Sequence, residues 1–186
     1  SAVQGINNND NPTSYKVALP ATQNAEPGKY DPSAYIMVLK PETVEALPSE
    51  YTASFRRAVA LNKLTLKGVK ETINSVSITV EGKDLAGRRY FDLTTGEGGN
   101  VYYGQTSTIT VYGAYASGDI DVWFTSWGAE ITEGETLKVV LKSDTKTYTK
   151  TITARAEGIK FVEGDLNKLA IDMSSVTGVI SAQSLP

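Results

Sequence analysis

The residues best suited to binding chemistry lie in an aromatic-rich stretch between positions 102 and 127. Its aromatic members are Tyr102, Tyr103, Tyr112, Tyr115, Trp123, Phe124 and Trp127. If the apolar neighbours of Trp123 face a core, strand alternation turns Trp123 outward beside Asp121. An exposed Trp next to carboxylates and tyrosines can stack on a sugar ring or anchor a protein interface. The candidate binding residues are therefore Trp123, Trp127, Tyr112, Tyr115 and Asp121.

The same spacing also fits a structural role for these aromatic side chains. A Trp side chain is large enough to cover a loop or a neighbouring domain, in which case Trp123 contributes burial and no binding. The sequence leaves both interpretations open. Glycan binding before and after Trp123→Ala separates them.

The sequence contains few of the residue types that commonly act in catalysis. The absence of Cys and His excludes a thiolate nucleophile, a disulfide framework, a Cys/His zinc site and a Ser-His-Asp triad. The acidic residues Asp119, Asp121, Glu130, Glu133 and Glu135 lack the spaced loop of a calcium site. A solvated surface explains them more simply than a pair of hydrolytic carboxylates does. We predict a protein that is not an enzyme and needs no cofactor or metal.

The glycine-rich run at 96–100 and the overall charge bear on phosphate and membrane partners. A phosphate loop opens a helix, whereas the residues after this run favour a strand. Eighteen basic and twenty-one acidic residues give a net charge of −3, with no basic run to follow a phosphate backbone. No window reaches the roughly 18 apolar residues of a membrane span. Nucleic acid and a membrane span in this chain are therefore not expected.

The elements that must position these residues are strands, because apolar side chains recur mostly at every second position. Strands are predicted at 15–19, 34–39, 55–66, 75–81, 88–93, 107–113, 119–125, 136–142, 147–154 and 168–173. This spacing indicates an all-β fold, an antiparallel β-sandwich. The predicted core contains Val59, Leu61, Val76, Ile78, Val80, Ile109, Val111, Val122, Val139, Leu141, Ile152 and Ile171.

Three local features refine this prediction. The polar residues 143–146 predict a hairpin between two of the strands. Within 55–66 the apolar phase changes, which indicates either a bulge at Asn62-Lys63 or two strands with a bend between them. Residues 41–47 predict one or two helical turns, since Pro41 suits the first helical position and Pro48 ends the segment.

The domain organisation follows from composition. Residues 1–14 include a run rich in Asn and are predicted to be a flexible tether. Residues 15–175 form the predicted β-sandwich domain. Residues 176–186 are predicted to be a linker or the start of a further module.

Four stretches resemble the fimbrillin-like surface and pilus proteins of Bacteroides-type bacteria. They are LPATQ at 19–23 followed by YDP at 30–32, FRRAVA at 55–60, VWFT at 122–125 and IKFVEGDLNKL at 159–169. The resemblance implies a transthyretin-like β-sandwich that is exported and held at the outer membrane by a lipid anchor upstream, or built into fimbriae. It implies adhesion as the function and other surface subunits, or host and glycan ligands, as partners. A carbohydrate-binding module centred on Trp123 and Trp127 is the alternative function.

The end of the chain offers a second way to engage partners. Val176, Val179 and Ile180 belong to a short β-prone stretch outside the last predicted strand. Such a segment either completes the edge of its own domain or adds to the sheet of a neighbouring module. In the fimbrillin-like family, subunits polymerise by strand exchange after cleavage at an arginine. The candidates Arg56 and Arg57 lie inside a predicted strand, where a protease reaches them poorly.

Overall fold

The computed structural model describes residues 13–39, 50 and 52–181, and strands dominate this part of the chain. The strands are β1 (Ser14–Leu19), β2 (Thr22–Asn24), β3 (Met37–Leu39), β4 (Phe55–Arg57), β5 (Ala60–Val69), β6 (Ile73–Val80), β7 (Ala86–Asp92), β8 (Gly98–Thr106), β9 (Thr108–Tyr115), β10 (Gly118–Ser126), β11 (Ala129–Ile131), β12 (Thr136–Lys142), β13 (Lys146–Thr153), β14 (Ile159–Phe161), β15 (Leu166–Asp172) and β16 (Val179–Ile180). A single 3-10 turn, Pro32–Ala34, is the helical structure in these residues.

Two sheets form the body of a β-sandwich. One has six strands in the order β16-β13-β12-β6-β9-β2, and the other has three in the order β10-β5-β15. Ile78 and Leu137 of the first sheet line the same pocket as Leu64 and Phe124 of the second, so the sheets face each other across a shared core. The predicted all-β sandwich is confirmed.

Most strand pairs are antiparallel, as expected, but two are parallel. β15 runs parallel to β5, and β2 runs parallel to β9. Parallel neighbours need long connections, and here each pair joins strands that are distant in the sequence. Alternation within one strand carries no information on the direction of its neighbour, which is why the sequence did not predict these pairs.

A third sheet, in the order β1-β7-β8, packs on the end of β10. Its inner side carries Tyr15 and Phe91, whose ring centroids lie 5.6 Å apart. Phe91 in turn lies 6.1 Å from the ring of Trp127, which follows β10. The opposite side of this sheet faces away from the core. Two-stranded pairs β3-β4 and β11-β14 complete the described structure.

The predicted core is confirmed at eleven of its twelve positions, which are all buried. Ile152 is the exception, because it is only partly buried against the core. It lies opposite Leu137 near the end of β13, whereas β16 covers β13 only at Lys146 and Thr147. At Ile152, β13 is therefore an edge of the six-stranded sheet that β16 does not cover.

The predicted bulge at Asn62-Lys63 is wrong, whereas the alternative prediction of two strands within 55–66 is confirmed, since β4 and β5 are separate strands. β5 keeps one continuous register from Ala60 to Leu66 with β10 and from Leu61 to Lys67 with β15. The chain breaks earlier, between β4 and β5. Leu61 and Asn62 are both buried, so both faces of β5 are covered here and the change in apolar phase needs no bulge.

Several predicted boundaries shift. Strand 34–39 shortens to β3, because residues 32–34 form the 3-10 turn instead. β1 begins at Ser14, which is buried and pairs with Asp92, so the predicted tether ends before this residue. The hairpin between β12 and β13 is confirmed. The remaining tether, residues 1–12, the predicted helical turns at 41–47 and residues 182–186 lie outside the described residues.

Candidate functional site

Trp127 is a core residue, which corrects its predicted place on an exposed platform. Its side chain is 0% exposed. The indole Nε1 donates to the backbone oxygen of Gly87 at 3.1 Å, and the Arg89 guanidinium lies 4.5 Å from the ring centroid. Strand β7 thus covers Trp127 from a distant part of the sequence. No ligand can stack on this ring in the folded protein.

Tyr115 is also buried, at 1% exposure. Burial raises the pKa of its hydroxyl to about 12. The hydroxyl has no hydrogen-bond partner among the described residues. Tyr115 is therefore a core side chain and is wrongly predicted as a surface ligand-binding residue.

Trp123 and Asp121 are brought together on the outward side of β10, but both are already engaged. Lys63 Nζ lies 2.7 Å from Asp121 Oδ2 and 5.7 Å from the Trp123 ring centroid. Thr65 Oγ1 donates to Asp121 at 2.6 Å. The hydrogen bonds from Lys63 and Thr65 hold the pKa of Asp121 below its ordinary value. Lys63 thus occupies the ring face and the carboxylate that a ligand would use.

Tyr112 is 49% exposed and lies on β9 of the six-stranded sheet. Trp123 lies on β10 of the opposite sheet. The five predicted residues therefore divide between two sheets and the core, and they form no common platform.

A different aromatic cluster covers the outward side of the third sheet. The rings of Tyr90 on β7 and Tyr102 on β8 stack with centroids 4.3 Å apart and planes 22° apart. Tyr102 is 39% exposed and Tyr103 is 62% exposed. We call the surface formed by Lys16, Arg88, Tyr90, Tyr102 and Tyr103 the tyrosine face.

A bulge explains how two consecutive tyrosines reach the same side of β8. Arg88 pairs with Tyr103 and Arg89 pairs with Val101, which leaves Tyr102 as the extra residue. A bulge of this kind re-aims side chains and bends the strand. Val101 therefore remains in the core while both tyrosines face outward.

Gly87 makes room for this irregular pairing. Its φ of +123° is a conformation that residues with a Cβ rarely adopt, and a Cβ there would lie 2.6 Å from Val101 Cγ1. Glycine is thus the residue that allows β7 to approach the bulged strand closely.

Two cations lie over the tyrosine rings. Lys16 Nζ is 5.5 Å from the Tyr90 ring centroid, and the Arg88 guanidinium carbon is 5.0 Å from that of Tyr103. Burial and a hydrogen bond with Tyr90 raise the pKa of Tyr102, while the charges of Lys16 and Arg88 act to lower it. The tyrosine face therefore combines aromatic rings, hydroxyls and positive charge.

The sequence contained one usable signal for this face. Tyr102 and Tyr103 belong to the aromatic stretch, but they are not among the predicted binding residues. Adjacent tyrosines flanked by Gly98, Gly99 and Gly104 are a pattern that suits a bulged, exposed strand. Arg88 and Tyr90, in contrast, reach the face only through pairing of β7 with β8.

The tail pairs with its own chain. Val179 pairs with Thr147 and Ile180 with Lys146, so β16 extends the six-stranded sheet at β13. The side chains of Val179 and Ile180 are 70% and 77% exposed. The predicted strand-exchange residues thus complete an edge of this domain through backbone bonds.

Contacts before and after β16 hold the tail in place. Val176 is partly buried against the core, and its backbone oxygen accepts from Lys70 Nζ at 2.8 Å. A Cβ on Gly178 would lie 2.6 Å from the Tyr148 ring, so the backbone packs directly on that ring. Ser181 N donates to Thr145 O at 2.9 Å. Residues 176–181 therefore belong to the domain and are not a separate linker.

The pocket between the sandwich sheets is a competing location for a ligand. It has a volume of about 200 Å³ and an apolar floor that includes Ile78 and Leu137. Two lysines at its rim are already paired, Lys63 with Asp121 at 2.7 Å and Lys160 with Glu130 at 2.8 Å. A third lysine, Lys168, also lines the pocket and forms no ion pair among the described residues. The aromatic side chains of the pocket, Phe124 and Phe161, are buried, so the pocket differs from the tyrosine face in offering no exposed aromatic ring.

Residues 13–39, 50 and 52–181 hold no group of three or more Asp or Glu side chains placed to bind a metal ion. In the same ranges no helix has the length and apolar character needed to cross a membrane.

A scan against protein-family models gave no match to this chain, and a search of curated proteins gave none either.

Proposed function

We propose that this chain is a non-catalytic adhesion module that binds its ligand on the tyrosine face. The observation that carries the proposal is the exposure of Tyr102 and Tyr103, at 39% and 62%, on a sheet whose other side is anchored in the core. Large aromatic side chains are normally buried or used at interfaces. A face built this way is ready to bind without rearranging the fold.

The rigidity of the tyrosine face supports binding. Tyr90 and Tyr102 fix each other by stacking, and Arg88 fixes one side of Tyr103. Side chains that are already ordered lose little conformational entropy when a ligand arrives. Tyrosine also offers a large contact area with only two rotatable torsions. These properties favour an adhesive surface.

The resemblance of four sequence stretches to fimbrillin-like proteins supports a place on the bacterial cell surface, anchored at the outer membrane or in fimbriae. The pairing of β16 with β13 in the same chain favours a module that completes its own edge. We therefore propose a stand-alone adhesin, with partners that include host or glycan ligands. Exchange of the tail with other surface subunits is the competing proposal.

Adhesion of coated beads tests the proposed function. Beads carrying the chain are expected to adhere to a surface coated with mucin, which presents both neutral and acidic glycans. Beads carrying the double variant Tyr102→Ala, Tyr103→Ala are expected to adhere much less. Tyr112→Ala is the matched control, since Tyr112 is a 49% exposed tyrosine on another sheet. Equal adhesion by the double variant and the unchanged chain would contradict the proposal.

A further inference from the structure

Arg88 is the residue of the tyrosine face with the most unused binding capacity. Its side chain is exposed, and the contact made by its guanidinium is with the ring of Tyr103. Among the described residues it forms no ion pair and no side-chain hydrogen bond. A guanidinium has five N–H donors in a planar fork that matches a carboxylate or sulfate group. These donors point to an anionic ligand.

No carboxylate of the described residues forms an ion pair with Arg88. Lys16 adds a second cation at the Tyr90 ring. The acidic residue on the same side of β7 is Asp92, two positions beyond Tyr90. Its Oδ1 accepts from the backbone N–H groups of Thr94 and Thr95 at 2.7 and 2.9 Å. These bonds lower the pKa of the Asp92 carboxyl group, so Asp92 keeps its negative charge but uses it within the hairpin turn and forms no ion pair with Arg88.

The tyrosine side chains indicate the chemistry of the uncharged part of the ligand. Arg88 lies over the Tyr103 ring, and 62% of Tyr103 is exposed, so much of this residue is open to solvent. A tyrosine presents an apolar ring face next to a polar hydroxyl. A pyranose ring is similarly amphipathic, since it has a C–H face and a rim of hydroxyl groups. Stacking on the tyrosine ring and the charge of Arg88 together favour a ligand that is a sugar with an acidic group.

We propose, resting on the proposed function, that the tyrosine face binds acidic carbohydrate, with the sugar ring on Tyr103 and its carboxylate or sulfate on Arg88. The net charge of −3 opposes binding of a densely charged polyanion such as a nucleic acid. A glycan with one anionic group per sugar needs only the guanidinium of Arg88 at each bound sugar. An acidic peptide supplies the charge but lacks the rigid C–H face that stacks on an open tyrosine ring.

Calorimetric titration with matched oligosaccharides tests this inference. The first probe is oligogalacturonate, and its control is the methyl ester, which keeps the sugar ring and removes the charge. The second probe is a chondroitin sulfate oligosaccharide, which carries one anionic group per sugar, with its desulfated and carboxyl-reduced form as control. We expect binding of at least one acidic probe, weaker binding of its neutral control, and weaker binding as salt screens the charges.

Variants assign the binding to named residues. Arg88→Gln should weaken binding of the acidic probe roughly tenfold to a hundredfold, the usual worth of hydrogen bonds to a charged group. Tyr103→Ala should weaken it roughly twofold to tenfold. Arg155→Gln is the matched control, because Arg155 is exposed in the turn after β13 and carries the same charge. Thermal unfolding of each variant shows that the fold is retained.

The outcomes separate this inference from the proposed function. Binding of the neutral controls as tightly as the acidic probes would overturn the inference, and so would full binding by Arg88→Gln. Tighter binding of polyglutamate or a single-stranded oligonucleotide, or no binding of either acidic probe, would also overturn it. In each case the proposed function stands if mucin adhesion still requires Tyr102 and Tyr103. Adhesion that is independent of both tyrosines removes the proposed function as well.

Discussion

Arg88 and Arg89 are neighbours on β7, lie over aromatic rings on opposite sides of one sheet, and have different surroundings. Arg89 lies 4.5 Å from the Trp127 ring centroid, and its side chain is 15% exposed. It forms an ion pair with Glu163, and the same Glu163 oxygen accepts from Gly128 N at 2.7 Å. Arg88 lies 5.0 Å from the Tyr103 ring centroid and is exposed.

This comparison shows that a cation over an aromatic ring does not by itself indicate a binding site. Beneath the sheet, Glu163 neutralises Arg89 and the ring of Trp127 is covered, so the pair serves packing. On the tyrosine face, the guanidinium and much of Tyr103 remain available. Exposure together with unpaired charge distinguishes a binding surface from a structural cluster.

The largest expected effect is on the buried side. Trp127→Ala should lower the free energy of unfolding by about 3 to 5 kcal/mol, because it removes a fully buried aromatic side chain and leaves a cavity. Urea denaturation measures this loss. Trp123→Ala is the comparison variant, and we expect a clearly smaller loss because Trp123 is only partly buried. Equal losses would show that the two tryptophans are not divided between core and surface.

Loss of the carboxylate beneath Arg89 should have the next largest effect. Glu163→Gln should cost about 1 to 3 kcal/mol, since the part-buried guanidinium loses its charged partner. Glu130→Gln breaks the ion pair with Lys160, whose side chains are 57% and 56% exposed, and should cost less than about 1 kcal/mol. Denaturation of the two variants side by side measures both. A larger cost for Glu130→Gln would reverse the proposed order of buried and exposed pairs.

The tail shows that exposure alone does not indicate a binding surface. Val179 and Ile180 are more exposed than Tyr102 and Tyr103, but they belong to a strand that completes the six-stranded sheet. Truncation after Ser175 removes the backbone of Gly178 from the Tyr148 ring and uncovers the edge of β13. We expect the melting temperature to fall by about 2 to 8 °C, the equivalent of about 1 to 2 kcal/mol in a domain of this size. Sedimentation should show self-association of the truncated chain through the open edge. An unchanged melting temperature and a monomeric truncated chain would mean that residues 176–181 are a linker after all.

The smallest expected effect concerns Asp121, which pairs with Lys63, the cation near the Trp123 ring. Hydrogen bonds from Lys63 and Thr65 lower the pKa of Asp121 from its ordinary 3.8. A carboxylate with a lowered pKa in the folded state stabilises the protein above that ordinary value, and the contribution is lost as the pH falls through the folded pKa. Asp121→Asn should therefore cost less than about 1 kcal/mol at neutral pH, as solvent screens the pair. The cost should disappear in acid, and a cost that grows on acidification would contradict this assignment.

Alternation along single strands was enough to predict the layers of the sandwich. Val76, Ile78 and Val80 face the core because one strand face is covered along its whole length. Asn62 is an exception to this rule, because it is a polar residue at an inward position. It donates a hydrogen bond to Ser126 at 2.9 Å and accepts one from Asn167 at 3.1 Å. A polar residue at such a position interrupts the apolar pattern.

The binding surface was less predictable, because it depends on contacts between distant segments. Trp127 is buried by β7, which lies about forty residues earlier in the chain. Tyr102 faces outward through a bulge that exists only in the pairing of β8 with β7. Composition revealed that the chain is rich in tyrosine and tryptophan here, but pairing between strands decides which of these rings reach solvent.

Chemical-shift mapping by nuclear magnetic resonance tests the central claim most directly. Addition of oligogalacturonate to the isotope-labelled chain is predicted to shift the signals of the tyrosine face, namely Lys16, Arg88, Tyr90, Tyr102 and Tyr103. The indole N–H of Trp123 and the amides of Val179 and Ile180 are predicted to stay unchanged. Shifts centred on Trp123 and Asp121, or on the tail, with an unchanged tyrosine face would contradict the account.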